Sequence, residues 1–421
     1  MHPGRDRPAG VLAQGVTALT TPAVTATRRP RTPRAGLEHR APASNTARRP
    51  RAPLRSVAMP RVLVLSTVHQ AEDPRIRRRT VAVLAREHAV RYMTPPPEPT
   101  AADDVEWRPL PGSRPARWGR ALAASLRGDV DLVSLHDPET IPIGLAARVL
   151  RRRPVVFDVH EDVPGQLRTK PWLPAPLRAP LAWLAAALLR VAERSFTITL
   201  AEPNYRHLFR RDHPVLPNYP EPDGLPDPQP SDGSVVYVGD ITEARGAALA
   251  VEAVGALPAP RPPLRLIGRV RPELARRLAA RAADLGVELD LPGFVPHPDA
   301  MAAAAGAAVG LSPLADTPNY RHSLPTKTLE YLAVGIPVLA SDLPGTAEVL
   351  AGRPGVRLLA PSDVVAWRDA LADVLADRTA RDRAREGVDD VRARFRWPAP
   401  ELRAVYAEAL AHTRRPRSGR R

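Results

Sequence analysis

The stretch VGLSPLADTPNYRHSLPTKTLEYLAVGIPVLASDLPGTAEVL, residues 309–350, reads as strand, loop, helix, strand, loop, helix. An apolar run at Ala307 to Leu311 ends in a polar loop, and Pro325 opens a helix at the first-turn position proline tolerates. Gly335 closes that helix, and Ile336 to Ala340 is short and apolar enough for a buried parallel strand. The loop therefore lies at the carboxyl end of a parallel strand and faces a helix N-terminus, where open α/β sheets bind ligands. Lys327, Glu330 and Tyr331 fall at i, i+3 and i+4 and share the face toward the loop, while Leu329, Leu332 and Ala333 are left to pack on the sheet. A lysine in the first turn opposes the helix dipole by up to about 1 kcal/mol. An anion between Lys327 and the free backbone N–H groups would offset that, since charge-assisted hydrogen bonds contribute about 1.5–3 kcal/mol each. The plain alternative is a solvated surface pair of Lys327 and Glu330.

The run SLPTKTLEYLAVGIPVLASDLPG, residues 323–345, resembles the signature of the family 4 glycosyltransferases. The resemblance implies an α/β fold of two Rossmann-like domains facing each other across a cleft, the GT-B architecture. It also implies that Lys327 holds the diphosphate of a sugar donor and that Glu330 accepts from the ribose hydroxyls. That family usually places a second glutamate eight positions earlier, where this chain has His322, whose imidazole can donate to or accept from a hydroxyl.

The 421 residues, 44% of them apolar, suffice for two ordinary α/β domains. The net charge of +16 resides mostly in the ends: residues 1–58 carry +9 and the arginines from Arg414 onward +5. The remainder is nearly neutral, which argues against a nucleic-acid-binding face. Residues 1–58, rich in Arg, Pro, Ala and Thr, lack a sustained apolar period and are expected to be disordered. Met59 directly precedes the first convincing strand, Arg61 to Ser66, so translation from Met59 is one expectation; an arginine-rich transit segment is another. The expected organisation is a tail at 1–58, an acceptor-side domain at 59–216 and a nucleotide-sugar domain at 217–394. A terminal helix at 395–413 crosses back to the first domain, and a basic tail occupies 414–421.

The first strand leads into HQAEDPRIRRRTVAVLAREH, a loop and an amphipathic helix without G-x-G-x-x-G, so a dinucleotide cofactor is not expected. His69, Asp73 and Arg75 resemble the H-x-x-x-D-x-R-I pattern of some polysaccharide-building members of the family, which implies an acceptor-side role. An N-cap by Asp73 with Pro74 at the first helical position explains part of the pattern without function. The strand Leu132 to Leu135 delivers His136 and Asp137 to its carboxyl end. His136-Asp137-Pro138 resembles the family's histidine-acid-proline turn, which implies a histidine near the donor sugar; a helix N-cap by Asp137 beside a space-filling histidine is the alternative. Asp129 and Asp131 precede their strand and read as solvated turn residues, so no obligatory metal is expected. The strand Pro154 to Val159 ends in His160, Glu161 and Asp162, and DVHEDVP resembles the family's D-x-H-E-x-x-P stretch, which borders the acceptor site. Glu161 is the candidate catalytic or acceptor-orienting carboxylate. LAWLAAALL, residues 181–189, is too short at nine residues to span a bilayer, which takes about 20. It reads as a core or interfacial helix, or as a patch for peripheral membrane contact.

VLPNYPEPDGLPDPQPSDGS, residues 215–234, reads as the interdomain linker. The strand Val235 to Val238 then leads into the turn Gly239 to Gly246. Gly239 lets the backbone approach a ligand, and Arg245 matches the cation of the family's G-x-x-x-x-x-[KR]-G turn, with Asp240 where a second cation is usual. Gly293-Phe294-Val295 resembles the loop that contacts the nucleotide base through backbone groups. With no cysteine, disulfides and thiolate metal sites are excluded, and a cytoplasmic setting is compatible. The resemblance implies a retaining hexosyltransferase acting from a nucleotide diphosphate sugar on a sugar, lipid-linked or small-molecule acceptor in polysaccharide or other glycoconjugate synthesis. A non-catalytic nucleotide-sugar-binding homologue, or an epimerase or hydrolase on the same fold, are the alternatives.

Overall fold

The computed structural model describes residues 59–99, 105–170, 173–318, 320–377 and 379–414. The expectations of disorder and alternative start concern residues 1–58 and, at the other end, 415–421, and lie outside the described residues.

Two six-stranded parallel sheets carry the chain. The first has order β3-β2-β1-β4-β5-β6, from β1 (Arg61–Leu65), β2 (Ala89–Thr94), β3 (Glu106–Pro109), β4 (Leu132–Leu135), β5 (Val155–Val159) and β6 (Thr197–Leu200). The second has order β12-β11-β10-β7-β8-β9, from β7 (Val235–Val238), β8 (Leu264–Ile267), β9 (Leu289–Gly293), β10 (Val309–Ser312), β11 (Val338–Ser341) and β12 (Val356–Leu359). Counted within each lobe, the two orders are the same doubly wound pattern, which reverses between the first and fourth strands. The reversals fall at β1/β4, in register Val62↔Leu132 to Leu65↔Leu135, and at β7/β10, in register Val309↔Val235. Loops leaving those strands at their carboxyl ends are where such a sheet holds a ligand.

The strands are continuous apolar runs because helices cover both faces. Leu63 and Leu65 pack with Val133, Leu135 and Phe157 on one side of the first sheet, while Val62 and Val64 face Leu132 and Val156 on the other. The terminal helix Ala399–Arg414 seals that second face: Trp397, Leu402, Val405, Tyr406 and Ala409 join the cluster of Val62 and Val64. A chain segment that follows the second lobe thus closes the core of the first. Burying a large side chain such as Tyr406 contributes about 1.5–3 kcal/mol, so this crossing ties the lobes firmly.

The segment after β1 differs from the amphipathic α-helix expected. Pro74–Val81 winds as a π-helical turn before a short α-helical end at Ala82–Leu84. Asp73 caps it as the local reading supposed, accepting from the backbone N–H groups of Arg75 and Ile76 at 3.0 and 3.1 Å. Wider turns of this kind recur at functional sites, and here the turn drives Arg75, Arg77 and Arg79 inward together.

The apolar run at 181–189 belongs to a longer helix than expected, Ala175–Ser195. At 21 residues it is long and apolar enough, by length and composition, to cross a membrane. Ala182, Leu189 and Ala192 are buried in it, with Leu189 and Ala192 in the first lobe's core, while Trp183 is 71% exposed and Leu177 50%.

Candidate active site

The turn after β7 is shaped by two glycines. Gly239 has φ +127° and Gly246 φ +75°, conformations that L side chains rarely adopt. At Gly246 an added Cβ would stand 1.9 Å from the Pro313 carbonyl oxygen, so the turn can press against the exit of β10 only without a side chain. Between them Thr242 accepts from the Arg245 N–H at 3.2 Å, and the Arg245 guanidinium lies 5.9 Å from the centroid of the Tyr320 ring. The opposite wall is the helix Thr326–Ala333, with Pro325 at its N-cap. Tyr331 departs from the face assigned to it. It is fully buried and its hydroxyl accepts from the Val238 N–H at 2.7 Å, which ties the helix to the end of β7.

Lys327 and Arg245 share one crevice. A Cβ placed on Gly239 would lie 3.3 Å from Lys327 Nζ and 3.8 Å from an Arg245 terminal nitrogen. The Lys327 ammonium is buried, has no hydrogen-bond partner among the described residues, and lies 3.4 Å from the centroid of the Tyr237 ring. Burial, and after it the charge of Arg245, hold its pKa well below the usual lysine value; Glu330 and Asp240 oppose them more weakly. A desolvated cation facing a second cation is a site arranged for an anion, and the solvated-pair alternative for Lys327 does not hold. Asp240, where a second cation was anticipated, offers none, and an Arg269 nitrogen lies 3.9 Å from it.

Glu330 is also buried, and its Oε1 lies 2.8 Å from His297 Nε2. Burial pushes its pKa up, but the hydrogen bond and charge of His297, with Arg79 and Lys327, bring it below the usual range, so it is a carboxylate.

The two lobes enclose a cleft of about 1120 Å³, lined by Gly239, Arg245, His322, Lys327 and Glu330 from the second lobe and by Arg79, His160, Glu161 and Glu202 from the first. Of the residues singled out in the sequence, these are the ones brought together, apart from Arg79 and Glu202, which sequence reasoning passed over. His322 is exposed there, and its backbone packs so closely on Gly345 that a Cβ would meet the His322 carbonyl at 2.3 Å. Val295 does not line the cleft: it packs against the second lobe's apolar core, and Pro296, His297 and Pro298 form the wall.

His136, Asp137, His69, Asp73 and Arg75 also lie outside the lining. His136 is fully buried, with Nδ1 3.5 Å from Asp158 Oδ2 and Nε2 3.2 Å from Ser134 Oγ, which in turn lies 2.6 Å from the Tyr406 hydroxyl. The terminal helix therefore packs over the hydrogen-bond partner of His136. Arg75 grips Asp158 through two 2.7 Å hydrogen bonds and reaches the Leu216 carbonyl at 2.9 Å, a structural position rather than an acceptor-side one. Asp137 is not the expected side-chain cap. Its carboxylate accepts from Ser66 Oγ at 2.8 Å and from the Thr67 N–H at 2.6 Å, and pairs with His69 Nδ1 at 2.7 Å. Burial opposes a proton on His69, yet the hydrogen bond and charge of Asp137 raise its pKa to about 9. The edge of His69 meets the His160 ring at 4.8 Å between centroids, so a cation underlies the cleft-lining imidazole. Asp129 is no free turn residue either: it pairs with Arg61 at 2.8 Å and Arg91 at 3.0 Å, remote from the lining.

His136, Asp158 and His160 bring ligand atoms within 4.8 Å of one another. Asp158 is already committed to Arg75, and protonated His69 stands beside His160. A divalent ion there would meet two standing cations, so this donor set suits protons better than a metal.

Glu202 lies just beyond β6. Its pKa is raised to about 7 by burial, against weaker opposition from Ser323 and Arg75. Ser323 Oγ donates to it at 3.3 Å from the second lobe. The sequence signal, an acid just past a parallel strand's carboxyl end, was present in TITLAEPNY.

Cations gathered on one lobe, facing histidines and carboxylates on the other, define a two-lobe α/β architecture with an anion-binding crevice. Residues 232–377 match the family model described as Glycosyl transferases group 1. The second lobe is a domain of that family. No curated protein matches the chain in sequence. Among solved structures it is similar to sucrose-phosphate synthase from Thermosynechococcus elongatus, at 18% identity and TM-score 0.66, over 84% of this chain and 100% of that one. Anabaena HepE, solved with UDP and glucose, aligns at 15% identity and TM-score 0.63 over 84% of this chain and 100% of its own. WaaG, described as a glycosyltransferase involved in lipopolysaccharide biosynthesis, aligns at 16% identity and TM-score 0.63, over 82% and 99%.

Proposed function

We propose that the protein moves a hexosyl group from a nucleoside diphosphate sugar to an acceptor hydroxyl, with retention of configuration, in the assembly of a polysaccharide, glycolipid or other glycoconjugate. The observation that carries this reading is the convergence of Lys327 and Arg245 over Gly239, with the Lys327 ammonium buried and given no hydrogen-bond partner by the described residues. In the reaction the bond from the anomeric carbon to the diphosphate breaks, its electron pair leaves with the diphosphate, and the acceptor oxygen forms the new bond as its proton passes to a carboxylate of the first lobe. The growing charge falls between the two cations, already fixed in a largely desolvated crevice. Removing one such preorganised donor typically costs about 2.7–4 kcal/mol of barrier. Glu330 takes the ribose hydroxyls, Pro296 to Pro298 flank the base, His322 lies toward the sugar, and His160 and Glu161 face the acceptor. No protein-held metal is needed for this arrangement. HepE is described in complex with UDP-glucose, which makes UDP-glucose the first donor to try.

The helix Ala175–Ser195 favours an acceptor at a membrane surface. Trp183, Leu184 and Leu177 are exposed on it, and Val149 and Leu150 of the helix Ile141–Arg151 are 72% and 67% exposed beside Arg148 and Arg151. The reading places the protein in the cytoplasm, in peripheral contact with the inner face of the membrane. Sedimentation with anionic vesicles that is lost in Trp183→Glu is the expected result; indifference to vesicles removes the membrane part.

The test of the whole is calorimetry with UDP, ADP, GDP and CDP, followed by product analysis of the matching nucleotide sugars. Binding with transfer to an added sugar supports the reading. Binding with release of free sugar only, or with an epimerised donor, replaces it with hydrolysis or epimerisation. Binding without turnover of any sugar nucleotide points to a non-catalytic homologue.

A further inference from the structure

Glu202 lines the cleft where the lobes meet, and the fold makes little use of its carboxylate. The backbone around it is pinned. The Leu200 N–H donates to the Pro214 carbonyl at 2.9 Å, the Ala201 N–H to the Val159 carbonyl at 2.8 Å, and the Tyr205 N–H to the Glu202 carbonyl at 3.1 Å. The Tyr205 hydroxyl donates in turn to the His160 carbonyl at 3.0 Å, which braces this turn against the strand end that carries His160 and Glu161. An acid directly before the 3₁₀ turn Pro203–Leu208 is placed to cap it, yet the Glu202 side chain makes no cap hydrogen bond. Among the described residues its carboxylate has a single hydrogen bond, from Ser323 Oγ to Oε2 at 3.3 Å, and Oε1 has none.

Two neighbouring carboxylates of the first lobe also line the cleft, and they are differently placed. Asp162 accepts from the Gly165 N–H at 2.8 Å as the cap of the helix Val163–Thr169. Glu161 is exposed, and its hydrogen bond from Gln166 is 3.5 Å long. Of the three, Glu202 alone hydrogen-bonds to the second lobe among the described residues. Ser323 directly follows His322, so the Glu202 carboxylate stands where the sugar end of the donor, as read above, meets the first lobe.

We propose that Glu202 is the catalytic base of the transfer, its Oε1 taking the proton of the acceptor hydroxyl as that oxygen bonds to the anomeric carbon. The bond from that carbon to the diphosphate breaks, the electron pair leaves with the diphosphate, and the proton on Glu202 returns to water as the product departs. The inference rests on the glycosyl-transfer reading above and names the carboxylate that reading requires. Glu202 is faced by Ser323 of the second lobe, by Arg75 of the π-helical turn and by Tyr205 of its own turn, whose hydroxyl feels both Glu202 and Glu161. Burial outweighs Ser323 and Arg75 and places its pKa at about 7, the range in which a general base both accepts and gives up a proton near neutral pH.

The full chain is assayed with the sugar nucleotide of whichever of UDP, ADP, GDP and CDP binds best. Release of that diphosphate is followed with an added sugar acceptor and with water alone, from pH 5.5 to 9. Wild-type kcat should climb through about pH 7 to a plateau. Glu202→Gln should lower the plateau by about a hundredfold or more, the scale of general-base catalysis, lose the pH limb, and bind the diphosphate within about twofold of wild type. Glu202→Asp should restore part of the rate together with the limb. Ser323→Ala removes a hydrogen bond to the ionised carboxylate and should move the limb to higher pH. A Glu202→Gln variant that keeps kcat within about threefold, or keeps the limb, overturns the proposal and leaves the donor reading intact. Diphosphate affinity lost in step with kcat overturns it as well, since Glu202 would then hold the shape of the site. If the wild type turns over no sugar nucleotide, the donor reading falls and this inference with it.

Discussion

Replacing Lys327 with methionine should yield a protein that is more stable and binds nucleoside diphosphate worse. The effective cost of taking an ammonium out of water is several kcal/mol. The Tyr237 face, 3.4 Å away, returns about 2 kcal/mol or more of that. Arg245 adds repulsion, and no hydrogen bond compensates. The balance is set by the direction of the pKa, which burial and then Arg245 hold well below the usual lysine value. Each unit of depression is a loss of about 1.36 kcal/mol for the protonated folded state. The unfolded lysine titrates near about 10.4, so between the depressed value and that pH the unfolded chain binds more protons and wild-type stability rises with pH. Methionine, of similar length, removes both the cost and this pH dependence, and about 2–4 °C in melting temperature is expected for each kcal/mol gained. Affinity for UDP should fall about 10- to 150-fold, the equivalent of one charge-assisted hydrogen bond of about 1.5–3 kcal/mol. In wild type the arriving anion raises the Lys327 pKa, so binding should draw a proton from the buffer and tighten as pH falls. Thermal melts from pH 6 to 10 and calorimetry in two buffers of different ionisation enthalpy measure all of this. A variant that melts lower than wild type and keeps its UDP affinity within twofold would show Lys327 to be a structural cation, and the reasoning would be wrong.

Glu202, raised to about 7, contributes stability below its unfolded value of about 4.3 that is lost as pH rises to about 7. Glu202→Gln should therefore be more stable than wild type at pH 8, by up to about 3 kcal/mol, and match it at pH 4 in urea titrations; equal midpoints at pH 8 would count against the buried carboxylate. Gly246→Ala puts a Cβ 1.9 Å from the Pro313 carbonyl oxygen and a non-glycine residue at φ +75°, a conformation that alone costs about 1–2 kcal/mol. A lower melting point and weaker UDP binding should follow together; an unchanged protein would mean the turn is not fixed by that contact. Asp137→Asn removes the carboxylate that holds His69 near 9, and the His69 ring signals should then titrate at least one pH unit lower by NMR. If they do not move, another group supplies the charge.

Much of the second lobe was legible because its chemistry is local. Pro325, Lys327, Glu330 and Gly335 sit on one short helix, and the apolar runs on either side were strand-like with no alternation, as a sheet covered on both faces requires. The first lobe was less so, since there the decisive partners are far apart in sequence. Nothing near Arg75 announces that it will be spent on Asp158, 83 residues on, and a strand end says where His136 stops but not that Tyr406 from the terminal helix will lie over its hydrogen-bond partner. Arg79 sits in RIRRRTV, which reads as a solvated basic face until the wider π-helical turn rotates three of the arginines inward. Glu202 and His297 were readable in principle, as an acid just past a strand and a histidine between two prolines at a helix start. Neither belongs to the motif that drew attention.

The distribution of charge across the cleft has a further consequence for how the lobes work. The second lobe presents Lys327 and Arg245 side by side, and the first presents Glu161 and Glu202. With an anion held between those two cations, the second lobe is neutralised while the first keeps Glu161, so the field points from the second lobe toward the first. That orientation pulls a proton toward the first lobe and the departing electron pair toward the second. Before binding, the two cations repel each other and one is desolvated, an instability that a fold selected for stability alone would have removed. The cross-cleft bonds Ser323 to Glu202, at 3.3 Å, and Arg269 to Gln70, at 2.7 Å, nonetheless join the lobes. The terminal helix, packed on the core of the first lobe, does the same covalently. Lobes tied together from three sides keep the cationic crevice assembled in advance, and an anion that enters it meets a field already in place rather than one that must be organised during the reaction.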